Sequence, residues 1–503
     1  MAKATEENVT AENEQKPAKK WHLRILPRRH RKKLIAAIVV VVQILGALTS
    51  VRAVMETRTP QGALAWAISL NTIPYVALPA YWIFGQSKFE DYKTGRQRAF
   101  TATNPLASVI QQKIVDRGLT STADPQSAEL IERIARLPYT DFNHVELLIN
   151  GKETFDAMFD AIDRAKDYIL VQFYIVRDDE IGREFRNRLV ARAREGIPVY
   201  FLYDGIGSHG LDESYMKPLR DAGGQMIAFS GSGDEPHRFQ LNFRNHRKVL
   251  VIDGREAFLG GLNLGDEYMG RVEKFGDWRD THVKVTGPAA LFVQMSFVED
   301  WNWATGIIPS LSWDATVATT HTQTALSLPF GPADKLETGT LFYLKMINSA
   351  RERLWIASPY FIPDQQMMSA LQMASLRGVD VRVLIPRKND SYIVSLAMKS
   401  YMPDCETAGI KVYWYEPAFM HQKVILVDHD MASVGTANFD NRSFRLNFEI
   451  MLVVRDALFN SQVADMLEKD FAKSTRSVPV QEKNLTWPKR FMANLVRMFA
   501  PVL

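Results

Sequence analysis

Cysteine is almost missing from this sequence: Cys405 is the only one in 503 residues. No intrachain disulfide can form, and no cysteine-based zinc site can be built. An excess of one charge is missing too. The 61 Lys and Arg against 57 Asp and Glu leave a net charge of +4, too little on a chain of this size to mark a nucleic-acid partner. Low complexity is absent: 46% apolar and 23% charged residues are ordinary globular values and exclude overall disorder. No group of Asp, Glu and His at metal-ligand spacing accompanies the motifs described below, so neither a metal nor another cofactor is expected. The length exceeds what one hydrophobic core usually supports, which predicts two domains or a fused pair.

What is present begins with two uncharged runs. LIAAIVVVVQILGALTSV, residues 34–51, is just long enough to cross a bilayer as a helix. Residues 62–85 form the second run, with Pro74 and Pro79 as kinks and Trp66, Tyr81 and Trp82 toward its ends, where interfacial aromatics belong. The competing readings are a cleaved signal peptide for the first and a buried core helix for the second. Arg24, Arg28, Arg29, Arg31, Lys32 and Lys33 precede the first run, and Lys88, Lys93, Arg96 and Arg98 follow the second. Only Arg52 and Arg58 lie between them. The positive-inside rule then predicts a basic cytoplasmic tail at 1–33, two transmembrane helices at 34–51 and 62–85, and a cytoplasmic remainder.

After a polar stretch near 100–140, an α/β pattern occurs twice. YILVQFYIV (168–176), a charged helix at 180–196 and IPVYFLYD (197–204) are matched by RLWIASPYFI (353–362), a helix ending near Arg377-Gly378, and VDVRVLIP (379–386). Each copy follows a helical segment ending Ala165-Lys166-Asp167 or Ala350-Arg351-Glu352. The pattern predicts a first half at 100–304, a Thr-, Ser- and Pro-rich join at 305–338 and a second half at 339–483, each with a mixed, largely parallel sheet.

The chemistry lies in a motif present once in each copy. From His246, Lys248 is at +2, Asp253 at +7, Gly260 at +14 and Asn263 at +17; from His421, Lys423, Asp428, Gly435 and Asn438 stand at the same offsets. Four such matches arise by chance about once per 10⁵ histidines. The run from His to Asp is apolar and β-branched, hence a strand on which His and Lys share a face. An imidazole beside an ammonium is suited to attack or protonate a phosphodiester while neutralising its oxygens. The Asp residues sit at odd spacing and face away, before turns, which gives them a mostly structural role within the motif. Asn263 and Asn438 are candidates for a phosphate contact or a helix N-cap. His282 has Lys284 at +2 but Ala289 where Asp should be, and reads as a strand residue near the site. His429 sits in a turn, and His209 and His237 lie in loops.

These paired motifs resemble those of the phospholipase D superfamily over roughly residues 100–503, and within it the bacterial cardiolipin synthases. The matching stretches are FRNHRKVLVIDGREAFLGGLNLGDEYMG (243–270), WRDTHVKVTGPA (278–289) and HQKVILVDHDMASVGTANFDNRSFRLNFEI (421–450), together with the two apolar runs. Thr436 stands where many relatives have Ser. The resemblance implies two pseudo-symmetric α-β-α halves behind a two-helix membrane hairpin in the bacterial inner membrane. It also implies a catalytic set of His246, Lys248, Asp253, His421, Lys423 and Asp428, with Lys248, Lys423, Asn263 and Asn438 on the phosphate. Glu449 would support His246 from the opposite motif, and Asp280 would support His421. The implied reaction passes through a phosphohistidine: one phosphatidylglycerol gives its phosphatidyl group, a second accepts it, and glycerol leaves. Phosphatidylglycerol and anionic membrane lipid are the expected partners. A membrane-bound phospholipase D, or a transferase with another acceptor alcohol, shares the catalytic residues. A non-catalytic scaffold is disfavoured because both motifs are complete. Oligomeric state stays open.

At the C-terminus, Phe491, Leu495, Met498, Phe499 and Val502 form one helical stripe beside Lys489, Arg490 and Arg497. Residues 484–503 are expected to form a helix lying on anionic lipid or docked on the protein.

Overall fold

The computed structural model describes residues 28–57, 59–85, 90–121, 125–229, 243–477 and 487–500; most of the basic tail, His237 and residues 478–486 lie outside them. The chain divides into two units, Met1–Ser87 and Lys88–Leu503.

In the first unit the helix Arg28–Glu56 is unbroken. Its segment His30–Glu56 is long and apolar enough to cross a membrane, with mean hydropathy 2.5. The second apolar run differs from the single helix expected. It is split into Pro60–Thr72, Pro74–Ala80 and a π-type turn Tyr81–Gly85. The break falls at Ile73 (φ −131°, ψ 54°) because the ring of Pro74 pushes the preceding residue out of the helical region. Thr59 caps the first piece by accepting the Gly62 N–H. The long helix packs against both pieces. Gly46 permits the closest approach, since a Cβ there would stand 2.3 Å from the Leu70 carbonyl oxygen. Gln43 Nε2 donates to the Asn71 carbonyl at 2.7 Å.

Among the described residues the second unit holds eighteen strands: β1 (Thr140–Ile149), β2 (Ile169–Phe173), β3 (Val199–Asp204), β4 (Gln225–Phe229), β5 (Arg244–Asn245), β6 (Val249–Ile252), β7 (Glu256–Gly260), β8 (Thr281–Thr286), β9 (Gln323–Phe330), β10 (Arg353–Ala357), β11 (Phe361–Ile362), β12 (Asp380–Pro386), β13 (Lys411–Tyr415), β14 (Val424–Val427), β15 (Met431–Gly435), β16 (Phe439–Asp440), β17 (Asn447–Arg455) and β18 (Ser474–Arg476). Instead of one sheet per half, the hydrogen-bonded order runs continuously as β18-β13-β12-β10-β14-β15-β17-β9-β1-β8-β7-β6-β2-β3-β4. The outer strands β2-β3-β4 and β10-β12-β13 are parallel, whereas the inner ones are antiparallel. The seam is β1 against β9. β9 lies inside the stretch expected to be a join: its near-continuous burial serves a strand in the middle of the sheet.

The stretch read as merely polar before Thr140 holds the helices Glu90–Asp116 and Pro125–Ala135. Between the halves, Val249, Val251, Leu259 and Val283 pack with Val424, Leu426, Val434 and Leu452, closed by apolar faces of the helices Pro288–Thr305 and Ala457–Ala472. The C-terminal helix Trp487–Arg497 docks on the protein. Arg497 bonds the Ser400 carbonyl at 3.2 Å and Asp404 at 2.8 Å, and Ala493 is buried. Trp487, Phe491, Met498 and Phe499 remain exposed.

Candidate active site

Each motif histidine is anchored by backbone of the other half. β5 runs parallel to β17 with Asn447 opposite Arg244 and Phe448 opposite Asn245. The ladder continues as the His246 N–H donates to the Phe448 carbonyl at 3.0 Å. The next residue along β17 is Glu449, and both its carboxylate oxygens lie 2.9 Å from His246 Nδ1. The second motif repeats this construction. Arg279 pairs with Met420, the His421 N–H donates to the Arg279 carbonyl at 2.8 Å, and the following residue, Asp280, sets Oδ2 2.9 Å from His421 Nδ1. In both cases the residue after the backbone partner supplies the carboxylate. Glu449 and Asp280 are wholly buried.

The carboxylates are held differently. Thr436 Oγ1 donates to Glu449 Oε2 at 2.6 Å and receives the Ile450 N–H, while Asn447 Nδ2 donates to Oε1 at 3.1 Å. The corresponding position in the first motif is Gly261, where a Cβ would stand 1.9 Å from Asp280 Oδ1. Asp280 instead accepts the Thr281 N–H at 2.8 Å and the Trp278 indole N–H at 3.2 Å.

Lys248 and Lys423 are buried, and each ammonium donates to its own histidine's carbonyl at 2.5 Å. Burial and then Lys248 and Lys423 push His246 well below the usual imidazole range. Burial and Lys423 bring His421 down to about 4, against the pull of Asp280. Each histidine feels the lysine of the other motif, so the two motifs share one electrostatic environment. Burial raises Glu449 to about 7. Burial pushes Asp280 up as well, but His421 and Lys423 outweigh it and hold that carboxyl below its usual range. Burial lowers Lys423 to about 8. Both imidazoles are therefore neutral near pH 7. With Nδ1–H directed at a carboxylate, Nε2 carries the free lone pair.

Asp253 and Asp428 do not join the histidines. Asp253 accepts the backbone N–H groups of Lys166, Asp167 and Tyr168, and Asp428 those of Arg351, Glu352 and Arg353. Seven residues of extended chain separate each from its histidine, roughly 20 Å. Each carboxylate acts as a clamp, which ties the end of β6 or β14 to the start of β2 or β10. Both have positive φ, 55° and 48°, at the turn.

Asn263 and Asn438 are held by local hydrogen bonds. Asn263 accepts the Ile175 N–H at 3.0 Å and donates to Tyr268 at 3.1 Å. Asn438 donates its side chain to Asp440, which leaves its buried Oδ1 without a hydrogen-bond donor. Neither caps a helix; Asp440 caps Asn441–Arg445. His282 is buried on β8 and packed on Gly260, and burial takes it down to about 3. His429 is exposed and paired with Glu352.

Sequence reasoning missed the supporting layer. Tyr174 stands edge-on to His246 at 4.9 Å, and Trp278 lies 5.2 Å from His421. Behind the histidines, Arg247 bonds Asp300 at 2.8 Å and the Glu449 carbonyl at 3.1 Å. Gln422 and Arg279 both bond Asp470. The available signal was position +1 of each motif, which strand alternation directs away from the site toward an acid on the helix behind it.

Comparison with known proteins follows the same lines. A family model described as "Cardiolipin synthase, PLD-like domain" matches residues 343–473. Cardiolipin synthase A of Pseudomonas aeruginosa (strain LESB58) is 44% identical over 476 residues, covering 93% of this chain and 96% of its own length. The chain belongs to the cardiolipin synthase family. Cardiolipin synthase A of Pseudomonas fluorescens is 42% identical over 469 residues, covering 93% of this chain and 98% of its own. Phosphatidylserine synthase of Haemophilus influenzae shares the fold, with a TM-score of 0.58 at 14% identity over 75% of this chain and 100% of that one.

Proposed function

We propose that this cardiolipin synthase transfers a phosphatidyl group from one phosphatidylglycerol to another through a histidine-bound intermediate. The observation that carries the reading is the pair of imidazoles, each backed at Nδ1 by a buried carboxylate from the opposite half and each beside a buried lysine.

His246 Nε2 attacks phosphorus, and the P–O bond to the headgroup glycerol breaks. His421 gives that oxygen a proton and glycerol leaves. The incoming phosphatidylglycerol hydroxyl returns a proton to His421, its oxygen attacks phosphorus, and the P–N bond breaks. The donor's phosphate charge offsets the lysines' effect on the imidazoles, so His421 gains basicity once lipid is bound and can carry the proton it delivers. Lys248 and Lys423 neutralise the phosphate oxygens.

We also read the catalytic unit as two pseudo-symmetric halves, on the strength of matching strand orders on either side of the β1–β9 seam and two identical clamps. The two apolar runs are read as a hairpin anchor with the catalytic unit in the cytoplasm, from the distribution of Lys and Arg around them. Digestion of the catalytic unit by protease added outside sealed, right-side-out vesicles would overturn that orientation.

Purified protein given phosphatidylglycerol in mixed micelles is expected to yield cardiolipin and glycerol, with or without EDTA. Phosphatidic acid as sole product would make the protein a hydrolase instead.

A further inference from the structure

The lipids of the proposed reaction carry long acyl chains, while the groups that would meet their phosphates are imidazoles and ammoniums. Drawing acyl chains out of a bilayer into water opposes binding, so the surface beside the site has to adjoin the bilayer itself. The second half shows such a surface. Tyr360 donates to Asp390 at 2.7 Å and is within electrostatic reach of Tyr174, the ring edge-on to His246. Asp390 also acts on Lys423 and is exposed, so the site reaches the protein surface here.

The next element in the chain is the helix Tyr392–Lys399, opened by the Ser391 hydroxyl, which accepts the Val394 N–H at 3.4 Å. Its first two residues, Tyr392 and Ile393, are 81% and 54% exposed. The C-terminal helix Trp487–Arg497 packs against it and is two-sided. On the inner side Ala493 is buried and the Arg497 guanidinium lies 4.3 Å from the centre of the Tyr401 ring. Tyr401 packs on Phe361, which stacks on Phe439 beside Asn438. On the outer side Trp487 stacks on Phe491 at 5.5 Å, and both are more than half exposed, as are Met498 and Phe499 just past the helix end.

A helix already docked by one face gains nothing in its own packing from a second apolar face. Exposed aromatic and thioether side chains beside exposed Lys388 and Lys399 match an anionic bilayer, where the rings enter the acyl boundary and the ammoniums meet phosphates. We propose that the outer face of the helix Trp487–Arg497, with the start of the helix Tyr392–Lys399, sits in the headgroup layer of an anionic phospholipid bilayer. Phosphodiesters then reach the imidazoles while their acyl chains stay in the bilayer. Docking on the protein and lying on lipid, the two alternatives for the C-terminal segment, belong to its two faces. The surface rests on the lipid substrate of the reading above and is independent of which alcohol accepts the phosphatidyl group.

The test uses the full-length protein in nanodiscs of phosphatidylglycerol and phosphatidylcholine. Cys405 is the sole cysteine and is buried, so a nitroxide attaches selectively to Tyr392→Cys, Phe491→Cys or Met498→Cys. Leu458→Cys, exposed just beyond the end of β17 remote from Glu449, is the comparison. Labels at the first three positions are expected to collide more with oxygen, which concentrates in lipid, than with a water-soluble nickel chelate. The comparison label should do the reverse. Water-like collisions at the three positions, or spin–spin broadening from a second copy covering them, would overturn the proposal. Turnover supplies a second readout. Phe491→Ser combined with Met498→Ser should lower transfer in nanodiscs about ten-fold and leave transfer between dispersed short-chain phosphatidylglycerol molecules within about two-fold of wild type. An equal fall on both substrates would make the helix a support of the fold alone and overturn the lipid contact; no fall on either would overturn it as well. The collision measurement needs no turnover, so failure of the transferase reading alone would show as lipid-contacting labels on a protein that makes no cardiolipin.

Discussion

Glu449 and His246 are 203 positions apart in the chain, yet both carboxylate oxygens lie 2.9 Å from Nδ1. The contact follows from one backbone register, since the His246 N–H bonds the carbonyl of the residue just before Glu449. Glu449→Gln keeps the size and loses the charge that fixes the tautomer. Turnover is expected to fall roughly 10²- to 10⁴-fold with KM and thermal unfolding little changed. Wild-type turnover in the variant would return Glu449 to a structural role.

In the proposed reaction the two histidines act in series. His246→Ala and His421→Ala should each abolish transfer, where independent halves would each retain about half. Protein incubated with labelled phosphatidylglycerol and quenched in alkaline detergent should carry label on His246. Label on His421 would reverse the order of the two imidazoles.

The clamps made by Asp253 and Asp428 predict an effect on stability. Asp253→Asn or Asp428→Asn weakens a clamp of three N–H bonds and is expected to cost about 1–3 kcal/mol, read as a lower denaturant midpoint. Activity per folded molecule should hold. Loss of activity with an unchanged midpoint would place these residues in the chemistry after all.

Burial brings Lys423 down to about 8. The ammonium exists below that value and is lost above it, so kcat/KM should decline as pH rises through about 8. A profile flat to about pH 10, the ordinary lysine range, would show that Lys423 keeps its proton or does not engage the phosphate.

Gly261 has a steric role. Gly261→Ala would drive a methyl into Asp280 and displace the carboxylate from His421. A loss of turnover of roughly 100-fold or more is expected, whereas Thr436→Ser, which keeps the hydroxyl on Glu449, should be nearly silent. Equal effects of the two substitutions would count against this difference.

Much of this was legible in the residues because strands impose a period of two: His and Lys at +2, and the apolar run that follows, can be read directly. The burial of Glu449 and Asp280 could not be read, because Phe448 and Ile450 are apolar neighbours on both sides and leave alternation silent. β9 was hidden because QTALSLPF carries Thr, Ser and Pro, the composition of a loop, although both its neighbours are strands. The break at Ile73 was visible as Pro74, but that it would divide the run into separate helices was not.

The β1–β9 seam has a mechanical consequence. Hinge-like parting of the halves would tear a ladder that continues through β17, β9, β1 and β8, and would withdraw each carboxylate from the imidazole it supports. In the proposed reaction the lipids, rather than the protein's halves, would therefore move in and out. In that reaction two acyl-bearing reactants of the same kind would visit one fixed pair of imidazoles in turn.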